Sequence, residues 1–275
     1  MKRVAGLMAL LILVLTVTPA TADFYVIAGG GRLGTAITTV PVPITSPGLY
    51  YLTKNLTCSA NANAITVHAD DVTIDLNGFC ITGSKESGVG NNGIAVAAGH
   101  TNVEIRNGSI KAFGKDGIQA GEDCTGIRVV GVRVRETVIG IDLPGSGNLV
   151  MDCTVIKGAD NGILVGNSSL VKGCQVVSGG LVGISLLKGS TAMGNTVTGS
   201  FVGIGGEGSM VTDNTVSGNN WGIFCLSKCT ITRNTAFNNN GAGISADTYC
   251  TITNNTTSGL KSDPTCTLAD NTVTP

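Results

Sequence analysis

The 275-residue chain carries 17 Lys and Arg against 18 Asp and Glu, a net charge of −1 at pH 7 with no basic stripe, which excludes a nucleic-acid partner held by phosphate neutralisation. Forty Gly, only 4% aromatics and a wealth of Val, Ile, Thr and Asn exclude a helical protein and describe short strands joined by turns. No linker or break in composition divides the chain after its N-terminus, so one domain with one core is expected.

Residues 1–22 read as a secretory signal peptide. Met1, Lys2 and Arg3 are the basic start, Val4 to Val17 the apolar run, and Ala20, Thr21 and Ala22 the small-residue cleavage site. The apolar run is too short to span a bilayer and meets Pro19. The mature chain is expected to begin at Asp23, to have no membrane span, and to be exported to the periplasm or beyond.

The mature N-terminus opens FYVIAGGGRLGTAI, where Gly29, Gly31 and Gly34 have the spacing of a dinucleotide-binding turn. Two observations exclude that reading. The helix that should follow Gly34 is blocked by Pro41, Pro43 and Pro47, and no Asp or Glu lies between Asp23 and Asp70 to hold a ribose. Residues 23–51 are therefore read as an N-terminal extension capping a domain that runs from 52 to 275.

From residue 93 the chain repeats. Gly-Ile pairs recur at Gly93-Ile94, Gly117-Ile118, Gly140-Ile141, Gly162-Ile163, Gly183-Ile184, Gly203-Ile204, Gly222-Ile223 and Gly243-Ile244, with intervals of 19 to 24 residues. A second marker keeps step through Asn55, Asn77, Asn107, Val132, Cys153, Cys174, Asn195, Asn214, Asn234, Asn255 and Asn271. Two markers in phase at this period mean a solenoid with one repeat per coil. Strand periodicity turns Ile163 and Val165, Ile184 and Leu186, and Ile223 and Cys225 inward, and places Val150, Val171, Ala192, Val211, Ile231 and Ile252 inside the following strand. The Asn positions fall at bends, where an amide can bond its neighbour one coil away, so the Asn column is structural.

The segments DVTIDLNGFCITG and NVEIRNGSIKAFGKDGI resemble the repeats of secreted right-handed parallel β-helix proteins of the pectate-lyase-like superfamily, over roughly residues 44–273. The resemblance implies an all-β, right-handed parallel β-helix of about ten coils. A left-handed β-helix would show a strict hexapeptide rhythm, which is absent. The superfamily includes polysaccharide lyases, pectin hydrolases and carbohydrate-binding β-helices, so the implied partner is a polysaccharide or cell-surface glycan.

The catalytic signatures of that superfamily do not carry over. NTV and NTA stand where NTD would be sought, Asp70-Asp71 is the one pair of adjacent Asp, and GHG and RIK are missing. No cofactor is called for. A Ca²⁺ site of the lyase kind would need several carboxylate oxygens converging on one point, and no acidic spacing demands it. His68 and His100 each stand beside a turn with no second ligand or nucleophile near them, and are read as surface residues.

Charge is concentrated in residues 101–160. In VGVRVR, Val132 and Val134 point inward, so Arg133 and Arg135 project from one outer face; Lys111 aligns with Arg135, and Lys157 follows one coil on. These four cations are the candidate contacts for an acidic glycan. Asp116 and Asp160, just before their Gly-Ile strands, are the candidate carboxylates if there is catalysis. A solvated charged wall with pairs such as Asp75 over Arg106 and Asp213 over Arg233 is the alternative. Thr154, Thr196, Thr215, Thr235, Thr256 and Thr272 form an outward array of the kind that orders water in ice-binding solenoids, interrupted at Gln175.

Nine cysteines in an exported chain permit disulfides. Cys58 and Cys80 are expected to stack on adjacent coils. Cys229, Cys250 and Cys266 align in KCTIT, YCTIT and TCTLA, with one bond available among the three. Cys153, Cys174 and Cys225 are read as buried thiols. The sequence thus describes an exported, monomeric β-helix with a non-catalytic carbohydrate-binding or structural surface role, a polysaccharide lyase or glycoside hydrolase being the main alternative and ice binding a minor one.

Overall fold

The computed structural model describes residues 34–59, 61–84 and 91–274, and every regular element among them is a β-strand. The expected signal peptide, with Gly29 and Gly31, lies outside the described residues. The chain after Gly34 enters the strand Thr35–Ile37, not a helix.

The strands stack in parallel as a three-faced solenoid. Face 1 is a sheet of eleven strands, from Val42–Ile44 to Leu260–Ser262, which sets eleven coils; a sheet of 21 strands wraps the other two faces. Face 2 opens with Thr35–Ile37 and Gly48–Leu52, and face 3 with Leu56–Thr57 and Cys80–Thr82. In the third and fourth coils a single strand, Val103–Lys111 and then Arg128–Arg135, crosses from face 2 to face 3.

The period of two does what the sequence requires of it. Ile163, Val165, Ile184, Leu186, Ile223 and Cys225 are buried on face 1, and Val150, Val171, Ala192, Val211, Ile231 and Ile252 are buried on face 2. Each column fills a continuous apolar core from Ile37 to Ile252.

The solenoid begins earlier than the boundary at residue 52. Thr35–Ile37 already pairs with Tyr50–Leu52, and Val42–Ile44 with Ile65–Val67. Prolines hid these strands in the sequence, but Pro43 lies on the terminal strand of face 1, where a missing N–H breaks no internal ladder.

From the third coil on, the corner between faces 2 and 3 has a constant length: Ile105 and Ile110, Val150 and Val155, Val171 and Val176, and Ala192 and Val197 are all five apart in the chain. There the amides of Asn195, Asn214, Asn234, Asn255 and Asn271 form a ladder along the axis. Asn195 donates from its backbone N–H and its Nδ2 to Asn214 Oδ1, both at 2.9 Å, and the pattern repeats from Asn214 to Asn234 and from Asn234 to Asn255 at 2.9–3.0 Å. Each Nδ2 also donates to a carbonyl of the preceding coil, as Asn234 does to Val211 at 2.8 Å. Asn55, Asn77 and Asn107 do not belong to this column; Asn55 lies opposite Cys80, one place past it, and Asn77 and Asn107 sit before it in left-handed turn positions with φ of 50° and 58°. Shorter ladders run at the other corners through Asn148, Ser169 and Ser190, and through Ser200, Asn219 and Asn239.

The Gly of each Gly-Ile pair is required by close approach. A Cβ on Gly183 would lie 2.6 Å from the Gly203 carbonyl oxygen and would strike the inward side chain of Val197. The repeated pair therefore marks where face 3 turns tightly into face 1.

Cys58 and Cys80 do not stack. Leu56 pairs with Ile81 and Thr57 with Thr82, which carries Cys58 beside Gly83, while Cys80 pairs with Ser109. The similar local sequences LTKNLTC and IDLNGFC differ by three residues in register.

Replacing Asn234 with Ala removes the acceptor of a buried backbone N–H and two donors to buried carbonyls, at a cost of about 3 kcal/mol. The urea midpoint should fall accordingly, whereas Thr235→Ala on the outer face should change stability by less than about 0.5 kcal/mol. Equal small effects from both would contradict a structural Asn ladder.

Candidate functional site

The corner between faces 3 and 1 is the irregular one, and the charged residues gather around it. In three successive coils the chain leaves face 3 through a left-handed residue, Ala112, Glu136 and Lys157, with φ of 59–60°. The segments that follow enclose a recess of about 400 Å³, between Phe113 and Gly114 in one coil, Glu136, Thr137 and Val138 in the next, and Lys157 and Ala159 in the third. Phe113 is buried beneath it. The first of these segments is held by two buried amides of the coil before: Asn91 Oδ1 accepts the Gly114 N–H and Asn92 Oδ1 the Asp116 N–H, both at 3.0 Å.

Two buried polar atoms without a hydrogen-bond partner among the described residues lie at this corner, Thr137 Oγ1 and Asp116 Oδ2. Asp116 is 1% exposed; its Oδ1 accepts the Ile139 N–H at 3.2 Å, and Lys115 Nζ lies 3.7 Å from Oδ2. Burial pushes the Asp116 carboxyl up, with the Ile139 N–H and Lys115 opposing. Asp142, outward on face 1 beside Gln119, is pushed up to about 6 by burial first and then by the charge of Asp116, with Asp160 adding to the effect and Lys115 opposing it. At about 6, the Asp142 carboxyl can hold a proton close to neutral pH.

The cations are arranged on the other side of the corner. Arg135 pairs in register with Lys111, and Arg133 stands two residues earlier on the same outer face, between Ser109 and Thr154. Lys157 continues past Ile156, the register partner of Arg135, to the rim of the recess. Among the described residues none of Lys111, Arg133, Arg135 and Lys157 is in an ion pair. Face 2 differs: Arg106 bonds Asp75 at 3.0 Å and Glu104 at 2.9 Å, and Arg128 bonds Glu104 at 3.0 Å. Arg233 is likewise held by Asp213 at 2.8 Å.

The structure thus brings the four predicted cations together along one face and its edge, with Asp116 behind the recess and Asp160 beside it. Sequence reasoning missed Asp142, Thr137 and Lys115 as members of the site. Alternation in the strand Ile141–Leu143 turns Asp142 outward in the coil after Asp116, a signal legible once the coils are aligned. Thr137 had none, since its burial depends on how the corner folds. His68 is exposed, and His100 Nδ1 lies 3.0 Å from Asp70 Oδ1, away from the recess. No group of three or more His, Cys, Asp or Glu among the described residues is arranged to hold a metal ion.

Residues 48–202 match the family described as the right-handed beta helix region. The chain belongs to the right-handed β-helix family. Comparison with curated protein sequences gives no match. Among solved structures this β-helix is similar to the alginate lyase from Paenibacillus sp. str. FPU-7, at 13% identity and a TM-score of 0.59 over 83% of this chain and 92% of that one. It is similar also to the A-module of the Azotobacter vinelandii mannuronan C-5 epimerase AlgE4, at 14% identity and a TM-score of 0.53 over 82% and 87% of the two chains. The lacto-N-biosidase from Eubacterium ramulus has 11% identity and a TM-score of 0.60 over 85% of this chain and 60% of that one. These likenesses show the fold.

The site makes a pH prediction. Asp142 has a folded value near 6 against an ordinary 3.8, so the folded state binds more protons between those values and loses stability as pH rises through about 6. Thermal stability of Asp142→Asn relative to the parent should therefore increase from pH 4 to pH 7, with most of the change between pH 4 and 6. A difference independent of pH would refute the burial of this carboxyl.

Proposed function

We propose that the protein is an exported, non-catalytic binder of anionic polysaccharide, which it holds on face 3 of the third to fifth coils through Lys111, Arg133, Arg135 and Lys157. The observation that carries this reading is the contrast between these four cations, without ion pairs among the described residues, and the paired arginines of face 2. A surface built only for solubility has no need to leave adjacent cations unpaired while carboxylates are plentiful in the same coils. Strand stacking sets the cations at intervals of about 4.8 Å along the axis, so a linear glycan lying along the solenoid meets successive charges. At the edge, the recess offers an apolar floor to a sugar unit. Two of the similar structures are alginate-active proteins by their names, an alginate lyase and a mannuronan epimerase, which supports a uronate polymer as the first ligand to test. The basic and apolar N-terminus supports a periplasmic or extracellular setting, and among the described residues no helix is long and apolar enough to cross a membrane.

A catalytic reading is favoured by one observation, the buried Asp116 and the half-buried Asp142, both with carboxyls pushed up, near the recess. It would make Asp142 a proton donor to a glycosidic oxygen.

Binding of the purified mature chain to alginate and polygalacturonate should exceed binding to neutral xylan. It should weaken at least tenfold in Arg133→Ala/Arg135→Ala, a loss of about 1.4 kcal/mol, and should fall with added salt. Equal binding of neutral and anionic polymers, unchanged in the double variant, would remove the proposed site. The same incubations, assayed for unsaturated products and reducing ends, are expected to show none. Product formation abolished by Asp142→Asn would establish the catalytic reading in its place.

A further inference from the structure

A second site of sulfur chemistry lies at the opposite end of the solenoid, independent of the glycan face. The corner column between faces 1 and 2 begins with oxygen acceptors: Ile127 N–H donates to Asn148 Oδ1 at 2.9 Å, Asn148 N–H to Ser169 Oγ at 3.0 Å, and Ser169 N–H to Ser190 Oγ at 3.1 Å. In the last coils the same column turns to sulfur. Cys229 N–H donates to Cys250 Sγ, and Cys250 N–H to Cys266 Sγ, both at 3.4 Å. Sulfur is the poorer acceptor, so hydrogen bonding alone gives no reason to replace Ser or Asn by Cys three times in succession.

The place of the change suggests the reason. Among the described residues no coil covers the last one: the inward Leu268 and Val273 are 48% and 51% exposed, and it is joined to the coil before by a short segment in which Cys250 and Cys266 are 16 residues apart. Adjacent coils hold Cα atoms about 4.8 Å apart, inside the 4.4–6.8 Å range of a disulfide.

We propose that Cys250 and Cys266 form an oxidation-dependent staple that locks the last coil onto the solenoid. Accessibility sets the order of events. Cys229 and Cys250 are each 1% exposed, whereas Cys266 is only half-buried and is the sulfur an oxidant meets first. The Cys266 thiolate attacks a small-molecule disulfide, giving a mixed disulfide and one free small thiol. The Cys250 sulfur then attacks Cys266 Sγ and displaces the second small thiol, which takes the Cys250 proton. Two protein thiols are oxidised and one small disulfide is reduced to two thiols. Burial holds the Cys250 thiol up at about 11, so closure is slow.

The test uses the mature chain incubated for hours with oxidised glutathione at alkaline pH, against the reduced protein. Trypsin separates the three sulfurs, because cleavage at Lys228, Arg233 and Lys261 places Cys229, Cys250 and Cys266 in different peptides. The expected product is a link between peptides 234–261 and 262–275, together with at least tenfold slower hydrogen exchange in Thr267–Ala269 and Thr272–Thr274. Cys266→Ser keeps an acceptor for the Cys250 N–H and should show neither effect on oxidation. Absence of the link, a link only between Cys229 and Cys250, or unchanged exchange in the oxidised parent would each overturn the proposal.

Discussion

A solenoid corner must supply an acceptor for every backbone N–H that the turn removes from the sheet, and it must do so again in every coil. Here side chains of the next coil meet that demand. Asn Oδ1 takes the N–H of its predecessor while Nδ2 returns a hydrogen bond to a carbonyl behind it, so one residue type satisfies donors and acceptors together. The ladder works only if the corner has the same length each time. This accounts for the constant five-residue step between the inward positions of faces 2 and 3.

Where the ladders are short, the chain is free to vary, and that freedom locates the site. Between faces 3 and 1 the Asn and Ser ladder of the later coils begins with Ser200 as acceptor for Gly179. In the earlier coils the same corner carries Asp116, Thr137 and Lys157 instead, and the recess forms there. The later coils present an unbroken outward column from Thr196 through Thr215, Thr235 and Thr256 to Thr272, neutral and regular. One half of the solenoid is therefore uniform scaffold, and the other carries the charge.

The fold was legible because its signals are steric and periodic. Gly183 and its equivalents recur because a Cβ would collide with the next coil, and Val150 with its column recurs because the strand period is two. Register at single residues was harder. Asn77 and Asn107 look like ladder members but occupy the left-handed position before it, and Cys58 resembles Cys80 in local sequence while lying three residues out of step. The cation cluster could be read from VGVRVR by alternation. The burial of Thr137 and the raised carboxyl of Asp142 could not, because both arise from how three consecutive corners pack against one another.

A glycan held on the four cations and in the recess beside them would perturb the backbone amides of those coils. Backbone amide chemical-shift mapping with a short oligouronate would test this directly. The prediction is that shifts concentrate in residues 109–115, 133–138 and 154–159, with the uniform coils beyond residue 190 unaffected. Shifts spread along the Thr columns of the later coils, with those segments unmoved, would contradict it.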